Sequence, residues 1–222
     1  MTFQYDHPRK QRTGIPEAIL CESKSDATLL HLAEELAGDK DHPVLFTRLT
    51  ERQYGLLEPA YADQLDYDAE SLTAFLNGKH PPCSGQVSLV AAGTSDLRVV
   101  LEAQRTLEFL GIRSKSFVDV GVAGLNRLLD RLDEIRAADV IIVIAGNDAA
   151  LASVASSLVS KPVIGVPTSV GYGVATGGQT ALNAMLASCA QGLTVTNIDN
   201  GFGAGCAAAR IINTLYQHLQ DG

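Results

Sequence analysis

The sequence has no tryptophan, and aromatic residues make up only 5% of its 222 positions. So few flat side chains argue against a stacking surface for bases. A formal charge of −8 argues against nonspecific binding to nucleic acid or to an anionic membrane. That charge still allows an anionic small ligand, which backbone N–H groups and a few arginines can neutralise locally. No unbroken apolar run reaches membrane-spanning length. Met1-Thr2-Phe3-Gln4 lacks a basic-then-apolar leader, and the cysteines at 21, 83, 189 and 206 show no CxxC or other ligand-like spacing. The expectation is a cytoplasmic protein with reduced thiols. There is no Walker A loop, and no GxGxxG follows an apolar run. The histidines stand at 7, 31, 42, 80 and 218, so residues 81–217 contain none. A Ser-His or Cys-His dyad built from that segment alone is excluded.

The chain is 46% apolar, with Gly, Ala, Val and Leu dominant, which suits α/β layers packed through small side chains. Residues 1–16 are polar and broken by Pro8, Gly14 and Pro16. Asp6, Arg9 and Arg12 would share one helical face, but spacing alone favours a solvated arm. EAILCE (17–22) and PVLFTRL (43–49) read as strands. Between them Ser25 or Asp26 caps a helix running to Ala37, with Leu29, Leu30, Leu32, Ala33 and Leu36 as its apolar stripe. Thr50 opens a second helix that Pro59 is expected to end or kink. Residues 17–65 thus predict a β-α-β-α appendage, too small to bury a sheet alone, that packs on the main domain or on a partner subunit. The stretch 66–85 ends in Lys-His-Pro-Pro-Cys-Ser-Gly, a breaker cluster read as the boundary between domains 1–80 and 81–222.

Beyond that point the pattern is regular. QVSLVAAG (86–93), KSFVDVG (115–121), VIIVIAG (140–146), PVIGVP (162–167) and LTVTNID (193–199) each precede a helical stretch. GLNRLLDRLDEIRAA reads as one helix, and the last runs from Phe202 to Leu219 with Ile211, Leu215 and Leu219 on one face. Continuous apolar strands alternating with amphipathic helices specify a doubly wound, mainly parallel α/β sheet, flavodoxin-like or Rossmann-like. Such sheets place ligands at the carboxyl ends of their strands.

Four aspartates, Asp96, Asp119, Asp148 and Asp199, follow or end those strands. Asp is also a favoured cap and turn former, and for each one alone capping is the better reading; convergence on one edge is harder to dismiss. Gly93-Thr94-Ser95-Asp96 is a hydroxyl-rich turn opening a helix, suited to phosphate. Gly201, Gly203 and Gly205 fall at a strand–helix turn, where close backbone approach serves packing or ligand equally. Cys189, with Leu182, Met185 and Leu186 at helical spacing, reads as a small core residue. Its place near a helix C-terminus would raise its thiol pKa.

AAGTSD (91–96), DVGVAGLNRLL (119–129), IAGNDAAL (144–151), PVIGVPTSVGYG (162–173), LNAMLASCA (182–190) and TVTNIDNGFGAG (194–205) together resemble the LarB family. These are the pyridinium-3,5-biscarboxylic acid mononucleotide synthases of nickel-pincer cofactor biosynthesis. DHPRKQRTGIPEAI (6–19) resembles that family's amino-terminal signature at Asp6, Arg9, Arg12, Gly14, Pro16 and Glu17. The resemblance implies a carboxylase/hydrolase that adds CO2 to the pyridinium ring of nicotinic acid adenine dinucleotide and releases AMP. It implies Cys189 as nucleophile and Asp148 as base. The substrate contacts it implies are Gly93, Thr94, Ser95, Asp96, Asp119, Thr168, Ser169, Gly171, Tyr172, Gly173, Asn197, Asp199, Asn200 and Gly201. Mg2+, with Asp96 as a candidate ligand, CO2 or bicarbonate as co-substrate, no nickel bound by this enzyme, and a homo-octamer are further expectations. Asn126, Asn147 and Ala152 depart from the family's usual His, Met and Pro. The carboxyl-terminal domain is also similar to aminoimidazole ribonucleotide carboxylases, whose histidine this sheet edge lacks. Two alternatives stay open: such a carboxylase or mutase, and a non-catalytic nucleotide-binding module.

Overall fold

The computed structural model describes residues 5–220, with side-chain surroundings through residue 216. Met1-Thr2-Phe3-Gln4, and with it the leader reading, lies outside the described residues, as do the side chains of His218 and Leu219. The arm is docked, not solvated. Its helix α1 (Arg9–Thr13) is flanked by Tyr5 and Ile15, both buried. Tyr5 belongs to the amino-terminal core and Ile15 to the core under the second sheet, so the arm bridges both. Arg12 pairs with Asp6 at 2.6 Å.

The amino-terminal unit comprises β1 (Ala18–Leu20), α2 (Asp26–Ala37), β2 (Val44–Thr47), α3 (Glu51–Tyr61), β3 (Leu65–Asp68) and β4 (Thr73–Leu76). Both long helices start where side-chain acceptors meet free N–H groups. Ser25 accepts from the Thr28 N–H, and Thr50 with Gln53 forms a reciprocal capping box. Leu30, expected in the α2 stripe, is exposed. Pro59 lies in the last turn of α3, which runs two residues past it to Tyr61 before a 3-10 turn. The hairpin β3–β4 corrects the reading of residues 66–85 as boundary alone. Its strands are four residues each and one carries two aspartates, so neither shows a strand signal; Asp68 closes the turn by accepting from the Ser71 N–H at 2.7 Å. The sheet order is β1-β2-β4-β3, parallel at β1–β2 and antiparallel elsewhere.

One face of this sheet packs under α2 and α3. On the other, Leu45 and Phe75 meet Phe109 of the second unit, and the Arg105 guanidinium lies 3.7 Å from the Phe75 ring centroid. The appendage therefore covers its second face with the main domain. The link between them is itself held down: His80 and Cys83 donate backbone N–H bonds to Phe109 and Gly111, each at 2.9 Å.

The second unit contains β5 (Gln86–Ala91), α4 (Leu97–Phe109), β6 (Arg113–Phe117), α5 (Leu125–Leu129), α6 (Leu132–Arg136) and β7 (Val140–Ala145). It continues with α7 (Ala150–Leu158), β8 (Val163–Pro167), α8 (Gln179–Leu186), β9 (Leu193–Val195) and α9 (Gly201–Gln220). Every neighbouring pair is parallel, in the order β6-β5-β7-β8-β9. This is the flavodoxin-like doubly wound order, whose switch point lies between β5 and β7. β7 is buried at all six positions, as an unbroken apolar run requires.

Three local expectations change. GLNRLLDRLDEIRAA is two short helices, because Arg131 leaves helical geometry (φ −107°, ψ 2°). The strand read from LTVTNID shortens to three residues. The buried face of α9 is Ala204, Ala208 and Ile212, while Leu215 is exposed. Small residues let α9 lie close on α4. A Cβ at Gly201 would stand 2.4 Å from the Val99 carbonyl oxygen, so packing, not ligand approach, accounts for that glycine.

Candidate functional site at the sheet switch point

A cavity of about 260 Å3 opens at the carboxyl ends of β5 and β7, the position that the strand order singles out for a ligand. Its walls are the turns after β5 (Gly93, Ser95, Asp96), after β6 (Gly121, Val122) and after β7 (Gly146 to Leu151), with Val170 from the turn after β8. The β7 turn is pinned by the Asn147 N–H donating to the Val170 carbonyl at 2.8 Å. A Cβ on Gly146 would lie 2.2 Å from that carbonyl oxygen, so only glycine permits the approach. Asn147 and Ala149 both adopt left-handed backbone (φ 50° each), as do Asp119 (φ 63°) and Asp199 (φ 54°). Left-handed residues other than glycine are uncommon, and four of the seven among the described residues lie in strand-end turns of this sheet edge.

Two expected carboxylates reach this cavity in different surroundings. Asp148 is exposed at its mouth, where Oδ1 accepts from the N–H of Ala150, the first residue of α7, at 3.2 Å. Its second oxygen has no protein partner among the described residues. Asp96 is 3% exposed. Its Oδ1 accepts from the Thr168 hydroxyl at 2.6 Å and its Oδ2 from the Gly93 N–H at 3.1 Å. Burial pushes its pKa up, with the nearby Asp199 charge adding to the rise, while both hydrogen bonds oppose it. Asp96 thus ties the β5 turn to the β8 turn. A Mg2+ ion needs an accessible carboxylate with room for several waters or phosphate oxygens. Asp96 does not fit that role: it is buried, both oxygens are engaged, and it belongs to no group of three or more clustered metal-ligand side chains among the described residues.

The remaining expected residues divide between structural work and open surface. Asp119 pairs with Arg127 and does not line the cavity. Asp199 Oδ1 accepts from the Ser169 N–H at 2.8 Å, and Arg48 of the amino-terminal unit donates to the Asp199 carbonyl at 2.9 Å. Asn200 caps α9 by accepting from the Gly203 N–H, and Asn197 accepts from the Ile198 N–H next to it. Thr94 and Ser95 are exposed where the helical stretch from residue 94 begins, although the Gly93 N–H of that turn is already taken by Asp96. The loop after β8 carries Gly171, Tyr172 and Gly173 outward, with Tyr172 84% exposed.

Cys189 is the largest correction. Periodicity placed it in a helical core, but α8 ends at Leu186 and the thiol lies exposed in the turn before β9. Ser188 next to it reaches Ser153 of α7 at 2.7 Å. Cys189 does not line the switch-point cavity of its own chain. Cys21 and Cys206, by contrast, are held in apolar surroundings that push both thiols up to about 12. Cys83 is also raised by burial.

The cavity as built can seat a small anionic or planar group against glycine and alanine backbone, with one exposed carboxylate at the mouth to take a proton. Sequence reasoning missed Gly146 and Gly121, which offer only backbone contact. It also missed Arg48, whose contact with Asp199 spans 151 positions and leaves no local signal.

Residues 86–222 match the family model for AIR carboxylase, and residues 2–78 match the LarB/PurE-like N-terminal domain. An uncharacterized protein of Methanocaldococcus jannaschii is 36% identical over 225 residues, covering 97% of this chain and 86% of the relative. A crystal structure of Treponema denticola PurE2 aligns with 62% of this chain and 82% of its own, at 21% identity and a TM-score of 0.49.

Proposed function

Since this chain belongs to the LarB family, with a LarB/PurE-like N-terminal domain before an AIR carboxylase domain, we propose that this carboxylase-type protein acts on nicotinic acid adenine dinucleotide. A thiolate from Cys189 adds at C4 of the electron-poor pyridinium, giving a neutral dihydropyridine whose C5 is an enamine carbon. C5 attacks CO2, derived from bicarbonate, and forms the new carbon–carbon bond. Asp148 removes the proton left on C5, and the electron pair restores the aromatic ring while the carbon–sulfur bond breaks. Water cleaves the phosphoanhydride, giving AMP and pyridinium-3,5-biscarboxylic acid mononucleotide. Electrons balance without an external oxidant.

The observation that carries this reading is the switch-point cavity with the exposed Asp148 carboxylate at its mouth. At about 260 Å3 it lies below the usual size of ligand sites, so it takes one end of a dinucleotide and leaves the other over the exposed Tyr172 loop. The thiol lies outside this cavity, so the reading requires a homo-oligomer in which the cavity of one copy meets Cys189 of another. Val174 (94% exposed) and Leu186 (66%) supply apolar surface for such contact. No step is assigned to Mg2+.

The test is incubation with the dinucleotide and 13C-bicarbonate, followed by mass spectrometry of products and protein. AMP, a labelled dicarboxylated mononucleotide and a transient Cys189 adduct are expected. Binding without AMP release would make the protein a nucleotide-binding module, and turnover of aminoimidazole ribonucleotide would move it to the purine-type reaction. Mixing inactive Cys189→Ala and Asp148→Asn proteins tests the shared site: activity returns only if thiol and carboxylate come from different copies.

A further inference from the structure

The proposed reaction does not use any of the five histidines, yet three of them, His7, His42 and His80, border one cavity of about 430 Å3 between the arm and the amino-terminal unit. At its edge, ligand atoms of His7, Asp39 and His42 all lie within 4.8 Å of one another, the one such group among the described residues. Asp39 and His42 sit on the turn after α2, closed by the His42 N–H donating to the Asp39 carbonyl at 3.1 Å. That turn presents both side chains together, with His42 Nδ1 2.6 Å from Asp39 Oδ2. The His42 imidazole beside it, with the His7 charge adding, holds the Asp39 carboxyl below its usual range. His7 comes from the arm. Its ring stands edge-on to Tyr5 at 4.9 Å and to His42 at 5.6 Å between centroids. Tyr5 is in turn fixed by burial and by donating its hydroxyl proton to the Glu17 carbonyl at 2.9 Å.

We propose that His7, Asp39 and His42 bind a divalent transition-metal ion, which staples the arm to the turn between α2 and β2. Two imidazoles and one carboxylate suit a borderline ion such as Zn2+, and are a poor set for Mg2+ or Ca2+, which take oxygen ligands. With metal–ligand distances of 2.0–2.1 Å, tetrahedral ligand atoms stand about 3.4 Å apart. Reaching that spacing takes roughly 1 Å of side-chain movement, the 2.6 Å Asp39–His42 pair opening and the wider separations closing, and both imidazoles are exposed. The adjoining cavity leaves room for water or a small ligand at the fourth position, with Lys10 and Glu17 also on its wall. The ion would hold together two segments more than thirty positions apart in sequence, and with them the arm that bridges both cores.

The experiment is isothermal titration of chelator-treated, tag-free full-length protein with Zn2+, alongside X-ray absorption at the zinc edge. One site per chain at micromolar affinity is expected, with a nitrogen and oxygen shell showing imidazole. His7→Gln and His42→Gln each weaken binding at least fivefold, while Asp41→Asn and Cys189→Ser change it less than fivefold. Zn2+ slows tryptic cleavage after Arg9 and Lys10 in the parent protein and not in His7→Gln, a readout that stands if one variant folds poorly. Less than fivefold loss in both histidine variants, sulfur in the zinc shell, or affinity weaker than about 1 mM would overturn the proposal. None of these readouts depends on the carboxylation reading.

Discussion

The switch-point cavity and the turn bearing Cys189 belong to the same parallel sheet, yet they are built by opposite means. The cavity is walled by glycine and alanine backbone in strained turns, and a buried carboxylate locks two of those turns together. The Cys189 turn is exposed, follows a helix of eight residues, and has open space around the Cβ position of Gly192. One region is held rigid; the other leaves its thiol open to solvent. In a thiol-mediated carboxylation those two properties belong on different elements, because the ring must stay fixed while a carbon–sulfur bond forms and breaks.

The sharpest way to break this division is Cys189→Ala. Product formation should fall at least about a thousandfold and the covalent adduct should vanish, while dinucleotide affinity, measured by titration, stays within about threefold of the parent. Full carboxylation by this variant would remove the thiol from the mechanism.

Next in size is a pair of glycine replacements, one on each side of the comparison. Gly146→Ala forces a methyl to 2.2 Å from the Val170 carbonyl, and should lower stability by about 2 kcal/mol or more and abolish detectable dinucleotide binding. Gly192→Ala meets no atom within 4 Å, but its φ of 89° strains any side chain. Its loss should stay near 1 kcal/mol, with binding kept. Chemical denaturation with parallel titration separates the two.

A smaller effect is expected from pH. Burial raises the Asp96 pKa above its ordinary 3.8, so the folded protein holds that proton more tightly than the unfolded chain. Its contribution to stability is fully present below 3.8 and is lost as pH rises through the raised value. Asp96→Asn keeps the shape, can still bond Gly93 and Thr168, and cannot ionise. Its melting temperature relative to the parent should therefore climb as pH rises above 3.8 and level off once pH has passed the raised value, as followed in a calorimetric series. A flat difference would show that Asp96 contributes no such linkage. The smallest change is Ala149→Gly, which relieves a left-handed alanine and should shift stability by no more than about 1 kcal/mol in either direction while leaving turnover intact.

Much of the fold was legible. VIIVIAG and PVIGVP are apolar at consecutive positions, the pattern of strands in a parallel sheet covered on both faces, and both are buried throughout as strands. Thr50 was expected to open a helix, and in the structure it does, its side chain closing a box with Gln53. The β3–β4 hairpin was not legible, since LDYD alternates acids and four residues give no period; its pairing partner β2 makes it a strand. The arm looked solvated because its polar residues outnumber Tyr5 and Ile15, whose burial depends on cores assembled elsewhere. Of the candidate site, Gly93, Ser95, Asp96 and Asp148 do share one cavity. Asp119, Asn197, Asp199 and Asn200 instead hold turns and caps, the alternative that aspartate and asparagine always carry at strand ends.

Sequence by itself determined the alternation of apolar strands with amphipathic helices, and so the parallel sheet and the edge where its turns gather. It also carried the motifs by which the chain belongs to its family. Only tertiary structure decided that β5 and β7 lie side by side with their connections leaving in opposite directions, which opens the cavity. It likewise decided which aspartate is buried and which faces solvent, and that Cys189 stands in the open. Periodicity records which face of an element is apolar; exposure and proximity depend on what packs against that face from distant parts of the chain.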